Sequence, residues 1–373
     1  MKRSTITLTL LAPLLLVFAA CTSSSGGNLP PEPEQIPAVR DEIPPDEGPE
    51  TPPARPEAGV LSPENPEEFE TSVPPEELPV SEFEEVWAYI LQDREDALKE
   101  GLPISDLGYF GAEVDSYGRL IGVPNPRVLP PFGGRVHLVV TCNSYPLTHF
   151  VLKYDTTERR ELIAALLWET RNFDGLQIDF EYIPGRDREQ FFSFLGELRA
   201  GLKDKFFSVA LKARTRTLAN DVHDYERIGP LVDRILVMAY DEHWATSAPG
   251  PIASMDWCRD VASYAHSVIG REKLIMGLPF YGRAWIDPSP AKAYTYPQIE
   301  TLLHENSIRE IHRDGDIPNF EYETPVVVRG YYEDAASLAA RLTLYRSMDV
   351  RAVGFWRLGQ ENTAVWDSLR LSP

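Results

Sequence analysis

From about Ser81 to Pro373 two textures of apolar residues alternate along the chain. One is the short aliphatic run of a buried strand, the other the i, i+3, i+4 spacing of a helix packed on one face. Phe83–Lys99 reads as a helix with Trp87, Ile90, Leu91 and Leu98 on its apolar side. Strands are expected at Ile104–Phe110 and Arg135–Thr141, then a helix over Glu161–Arg171 with Leu162, Ala165, Leu166 and Trp168 on one face. A strand at Leu176–Tyr182 leads into a helix over Glu189–Leu202. Strands follow at Phe207–Lys212, Arg234–Tyr240 and Lys273–Pro279, and a helix at Ala335–Arg346 precedes the last strand, Ala352–Trp356. Such alternation predicts a parallel sheet with helices outside it. At least seven strands within about 290 residues favour a closed (β/α)8 TIM barrel, an α/β fold, over an open doubly wound sheet. No glycine-rich phosphate loop follows the first strand, which counts against dinucleotide binding.

Within this pattern one stretch stands apart, Phe173-Asp174-Gly175-Leu176-Gln177-Ile178-Asp179-Phe180-Glu181-Tyr182. At period two, Leu176, Ile178 and Phe180 form an apolar face, and Gln177, Asp179 and Glu181 a polar one. Carboxylates two residues apart on a strand lie roughly 7 Å apart, close enough to alter each other's ionisation or to be bridged by a substrate. A solvated surface strand is the bland alternative. In a barrel the active site lies where the strands end. Those ends are Tyr109-Phe110, Asn143-Ser144, Asp179–Glu181, Lys212–Arg214, Met238–Asp241, Pro279–Tyr281 and Trp356. Aromatics and carboxylates recur there, a mixture suited to a carbohydrate, whose ring faces stack while its hydroxyls and amides hydrogen-bond. Any single aromatic is more simply core packing; the recurrence is what points to a sugar site, with Tyr109 and Tyr281 among its expected contacts.

The formal charge of −21 over 373 residues disfavours nucleic acid and anionic surfaces as partners. Met1–Cys21 has the basic start, short apolar core and small residues of an export leader. Phe18-Ala19-Ala20-Cys21 resembles a bacterial lipobox, which makes Cys21 the expected lipidated residue and membrane anchor; a secreted protein cut near Ala20 is the alternative. Residues 22–80 are rich in Ser, Gly, Pro and Glu and hold nearly half of the 33 prolines. Such a segment cannot bury enough surface to fold and is expected to tether the folded part, 81–373, to the envelope. Cys142 and Cys258 are expected as two buried thiols, and no Cys or His pattern has zinc spacing. Neither cofactor nor metal is expected, and the protein is expected to be a monomer.

Asp174–Glu181 closely resembles the DGxDxDxE signature of glycoside hydrolase family 18, the chitinases and their relatives. Met238-Ala239-Tyr240-Asp241, Gly277–Trp285 and Gly354-Phe355-Trp356 resemble the family's sixth, seventh and last strand motifs, in the same order. Tyr240–Trp244 and Pro249–Ala253 look like the branch of spore-cortex peptidoglycan hydrolases, although the peptidoglycan-binding repeats common there are not seen. The resemblance implies cleavage of β-1,4 linkages at N-acetylglucosamine in peptidoglycan or chitin-type glycans. Glu181 is then the general acid and later the base, and the substrate's own acetamido oxygen attacks the anomeric carbon. Asp179 orients the acetamido group, Tyr240 bonds its carbonyl oxygen, Asp241 contacts the sugar and Trp356 floors the site. Arg283 is either a substrate contact or the partner of a carboxylate; Asp174 and Gly175 are structural.

Gln177, expected among the substrate contacts, departs from the family's Asp or Asn. Lacking a charge there, Asp179 is expected to ionise more readily, with activity retained but altered. A small, shallow lobe is expected over 286–329, with a helix at Tyr296–Glu305 and a strand at Pro325–Arg329. Two rival readings stand: a sugar-binding lipoprotein that has lost catalysis, and a metal-dependent hydrolase using Asp179, Glu181, Asp241 and His243.

Overall fold

The computed structural model describes residues 78–286, 289–323 and 327–372. The expected leader, Cys21 and the tether through residue 77 lie outside the described residues.

Eight parallel strands close into a barrel: β1 (Glu85–Leu91), β2 (Asp106–Val114), β3 (Arg135–Thr141), β4 (Gly175–Asp179), β5 (Phe206–Lys212), β6 (Arg234–Met238), β7 (Leu274–Pro279) and β8 (Ala352–Trp356). Each pairs with the next, and β8 returns to β1 through Ala352–Glu85 to Phe355–Ala88. This is the expected (β/α)8 fold. Helices Thr157–Glu169, Arg188–Leu202, Met255–Ile269 and Ala335–Ser347 pack outside it. The expected boundaries agree within a few residues, and Trp168 departs from its helix's apolar face to lie exposed under the Arg171 guanidinium.

The largest correction is at the start. Phe83–Lys99 is not a helix: it holds the short strand Ser81–Phe83, then β1, then one 3-10 turn at Glu95–Ala97. A barrel strand is buried on both sides, so its apolar positions run on without clean alternation. Val86, Ala88 and Ile90 pack against the outer layer while Trp87 and Tyr89 fill the interior. The helical spacing of Trp87, Ile90 and Leu91 is therefore a coincidence of a doubly buried strand. With β1 restored, the motif strand is the fourth.

The interior is filled by Trp87, Tyr89, Val139, Ala210, Leu236, Met238, Ile275 and Ala352. At the end where the strands begin, charges close it. Arg135 donates to Asp106 at 2.6 and 2.9 Å, His137 Nε2 meets Asp106 at 2.7 Å, and Arg234 donates to Glu85 at 2.6 Å. Gly175 sits where the motif strand enters this layer; a Cβ there would lie 2.4 Å from His137 Nδ1 and 2.8 Å from Phe206 O. Asp174, just before it, accepts from Val136 N–H at 2.8 Å. Cys142 and Cys258 are free and buried, and burial pushes both thiols up to about 11.

Between β7 and β8 lies a lobe larger than the expected 286–329. Five antiparallel strands (Ser289–Thr295, Tyr281–Ile286, Val327–Tyr331, Ile317–Glu323 and His312–Asp314, in spatial order) carry the helix Tyr296–Glu305. Ile299, Leu303, Ile308, Phe320 and Tyr332 give it a core of its own, so it is not a reduced remnant. Of the expected strand Pro325–Arg329, residues 327–329 lie in the strand Val327–Tyr331, and Pro325 lies outside the described residues.

Gly175→Ala should lose about 1–3 kcal/mol, the usual cost of forcing an atom into a filled interior. Chemical denaturation reads this directly; an unchanged midpoint would show that His137 and Phe206 can move aside.

Candidate active site

Period two along β4 points Gln177 and Asp179 into the barrel, and Glu181 follows on the loop beyond the strand. Gln177 is wholly buried, and its amide is used on both sides. Tyr89 of β1 donates its hydroxyl to Gln177 Oε1 at 2.8 Å, and Gln177 Nε2 donates to Ser208 Oγ of β5 at 3.0 Å. Substrate contact, expected of this residue, gives way to a brace across the interior.

Asp179 is only 9% exposed, and its Oδ1 has no hydrogen-bond partner among the described residues. Burial first, then the charge of Glu181, push its carboxyl up to about 8, against the pull of Lys212. Glu181 is also raised above the ordinary carboxylate range, by burial chiefly and by Asp241, with Lys212 again opposing. The two form one acid pair that keeps a proton at neutral pH. Whatever ease of ionisation Asp179 gains from an uncharged residue at position 177, burial keeps its carboxyl well above the ordinary carboxylate range.

Tyr240, at the end of β6, is half-buried, and its ring meets Tyr281 edge-on at 6.3 Å. No protein group among the described residues engages its hydroxyl, which burial holds well above the ordinary phenol range. Asp241 follows in a left-handed conformation, φ 59°, that aspartate tolerates better than most residues. Its Oδ1 accepts from the Tyr281 hydroxyl at 2.6 Å and from Arg283 at 2.6 and 3.1 Å. Of the two readings of Arg283, pairing with a carboxylate is the one observed. Tyr281 and Arg283 come from the first strand of the lobe, so the lobe positions Asp241.

Trp356 ends β8 and packs edge-on against Phe110 at 4.6 Å and tilted against Tyr89 at 5.8 Å. Tyr109, expected against the sugar, lies in the outer layer, and its hydroxyl donates to Glu95. Alternation along β2 makes Phe110 the inward residue. At the β3 end, Asn143 donates to Glu113 at 3.2 Å and Ser144 caps the following helix.

Sequence reasoning missed Tyr89 and Ser208 as parts of the site; Phe110 and Lys212 were visible only as strand ends. His243, the metal candidate, turns its Nδ1 to Pro251 O at 2.9 Å, and its ring lies over Gly250. Among the described residues no cluster of three or more His, Cys, Asp or Glu side chains could hold a metal ion.

A closed parallel barrel with an acid pair at the end of its fourth strand, and a tyrosine and a tryptophan at the ends of its sixth and eighth, is an architecture that glycosidases use. The chain belongs to the glycosyl hydrolases family 18, whose family model matches residues 124–361. It is 25% identical over 302 residues to the cortical fragment-lytic enzyme of Bacillus subtilis, covering 74% of this chain and 70% of that one. It is 29% identical over 228 residues to the putative sporulation-specific glycosylase YdhD of the same organism, covering 58% of this chain and 54% of the relative. Among solved structures, the Bacillus cereus spore cortex-lytic enzyme SleL superposes with TM-score 0.66 at 23% identity, over 79% of this chain and 76% of that one. The chitinase of Chromobacterium violaceum superposes with TM-score 0.63 at 21% identity, over 76% and 97%, respectively. At these identities the superpositions show the fold.

Asp179 ties stability to pH. Its ordinary value of about 3.9 rises to about 8 on folding. The folded state therefore binds the proton more tightly, and stability is lost as pH climbs through that interval. Asp179→Asn cannot ionise. The Tm of this variant minus that of the wild type should grow steadily from pH 5 to pH 8; a difference independent of pH would remove Asp179 as the titrating group.

Proposed function

We propose that this protein hydrolyses β-1,4 bonds at N-acetylglucosamine residues of peptidoglycan or chitin-type glycans, with retention and with the substrate's acetamido group as nucleophile. The observation that carries this is the burial of Asp179. A retaining enzyme with two working carboxyls needs the second one ionised to attack the anomeric carbon. A carboxyl held near pKa 8 is neutral at pH 7 and suited to holding an amide. The nucleophile must then come from the sugar itself.

Glu181 gives its proton to the glycosidic oxygen as the C1–O bond breaks and the acetamido carbonyl oxygen closes on C1. Asp179 holds the acetamido N–H, and the negative charge left on the acid pair stabilises the oxazolinium ring. Tyr240 offers its unengaged hydroxyl to the acetamido oxygen, and the Trp356 ring supports the sugar from below. The Glu181 carboxylate then takes a proton from water as that water opens the ring, and the acid pair returns to its starting state. Gln177 carries no charge to be titrated and serves by keeping β1, β4 and β5 in register.

Glu181→Gln should lower turnover by at least a hundredfold, the lower end of what general acid catalysis supplies. Incubation with chitooligosaccharides and with purified peptidoglycan, followed by mass spectrometry of the products, tests this and identifies the polymer. Undiminished cleavage by Glu181→Gln would sink the mechanism. Wild-type binding without new reducing ends would leave the non-catalytic sugar-binding reading.

The same reading holds the catalytic head at the cell envelope by a lipid on Cys21. Metabolic labelling with a fatty-acid analogue should tag the wild type and not Cys21→Ala, and equal labelling would refute the anchor.

A further inference from the structure

Lys212 ends β5, and the residues before it fix which way it faces. Ser208 meets Gln177 inside the barrel, and Ala210 belongs to the interior cluster. Two residues further on, Lys212 faces inward as well, at the open mouth. β4 and β5 pair in parallel from Gly175–Phe206 to Ile178–Val209, a step that carried forward sets Lys212 level with Glu181. The backbone there is held by the Tyr225 hydroxyl, which donates to Lys212 O at 2.7 Å. The ammonium stands 5.7 Å from the centre of the Tyr182 ring. Tyr182 is 42% exposed and immediately follows Glu181; Tyr145, 52% exposed, meets its ring edge-on at 5.5 Å.

Two other cations near this rim are neutralised. Arg283 is tied to Asp241 at 2.6 Å, and Arg214 to Asp221 at 2.6 Å. Lys212 Nζ has no hydrogen bond or ion pair among the described residues, although its charge reaches both members of the acid pair. A half-buried ammonium with no protein partner keeps its three donors for water or for an acceptor on a ligand. Glu181 hands its proton to the leaving oxygen, so the leaving sugar must rest against whatever borders Glu181 on its far side. That border is an aromatic ring with a cation above it.

We propose that Lys212, with the Tyr182 ring as its wall, determines specificity at the leaving-group position and selects a sugar that bears a carboxylate. This rests on the glycosidase reading above and narrows its substrate to an acidic, N-acetylated glycan over a neutral one. The sugar's apolar face lies on Tyr182, and its carboxylate accepts from the ammonium. A neutral N-acetylglucosamine polymer fills the same place without that bond.

Two oligomers of equal length test it: a chitooligosaccharide, and an alternating N-acetylated glycan whose second sugar carries a free lactyl-ether carboxylate. In Lys212→Met the ratio of kcat/KM, acidic over neutral, should fall by about tenfold, the worth of one charge-assisted hydrogen bond. Lys212→Arg should largely restore it. Methyl-esterifying the glycan carboxylate should produce the same fall with the wild-type protein, where no residue is changed. If Lys212→Met lowers both rates by one factor and shifts both pH profiles alike, Lys212 serves only the acid pair and the proposal is overturned. The ratio is also read as Kd in a Glu181→Gln background, where nothing is cleaved. A fall there supports the subsite even if the wild type proves inactive, an outcome that would count against the glycosidase reading alone; an unchanged ratio overturns the subsite.

Discussion

Asp179 is carried into the barrel by the strand that bears it, and burial there opposes its ionisation more strongly than Lys212 can favour it. Much of the site's composition is intelligible from that one constraint. A second ionised carboxylate beside it would be costly, and what stands at position 177 is an amide. Glu181, on the loop, is close enough for its charge to raise Asp179 and exposed enough to exchange a proton with a substrate. Tyr240 and Trp356 supply a hydroxyl and a ring without adding charge to a space that already resists it.

Asp106, at the opposite end of the same barrel, shows what a structural aspartate looks like here. It is fully buried, and burial alone would raise its pKa as it does that of Asp179. His137 and two bonds from Arg135 outweigh that, and Asp106 stays below the ordinary carboxylate range. The two aspartates differ in whether the protein has met their hydrogen-bonding needs. Where it has, the group locks the sheet; where it has not, the missing partner is left for a ligand.

The barrel was legible because its strands are short, aliphatic and separated by helices of strong period. Arg135–Thr141 and Ala352–Trp356 fall where their sequences place them. β1 was not legible, for the same reason that it is a good barrel strand: buried on both faces, it has no polar side to reveal its period. The slip between Tyr109 and Phe110 has a related cause. Both are aromatic at a strand end, and only closure of the ring of strands decides which one looks inward. The acid pair could be read directly, since a polar row on an otherwise apolar strand is a local signal. Its electrostatics could not, because burial depends on strands far apart in sequence.

Gln177 joins these threads. Read along its own strand it is the weak member of a polar row, a carboxylate replaced. Its partners are Tyr89, on the strand that the sequence disguises as a helix, and Ser208, on the strand that ends in Lys212. The amide is turned to Tyr89 and Ser208 and makes no bond to Asp179, whose Oδ1 has no partner among the described residues. An aspartate at 177 would accept from Tyr89 and Ser208 but would also bring a charge into the same dry interior. Glutamine provides the brace without the charge, and so changes how the pair above it titrates while leaving the residue that delivers the proton in place.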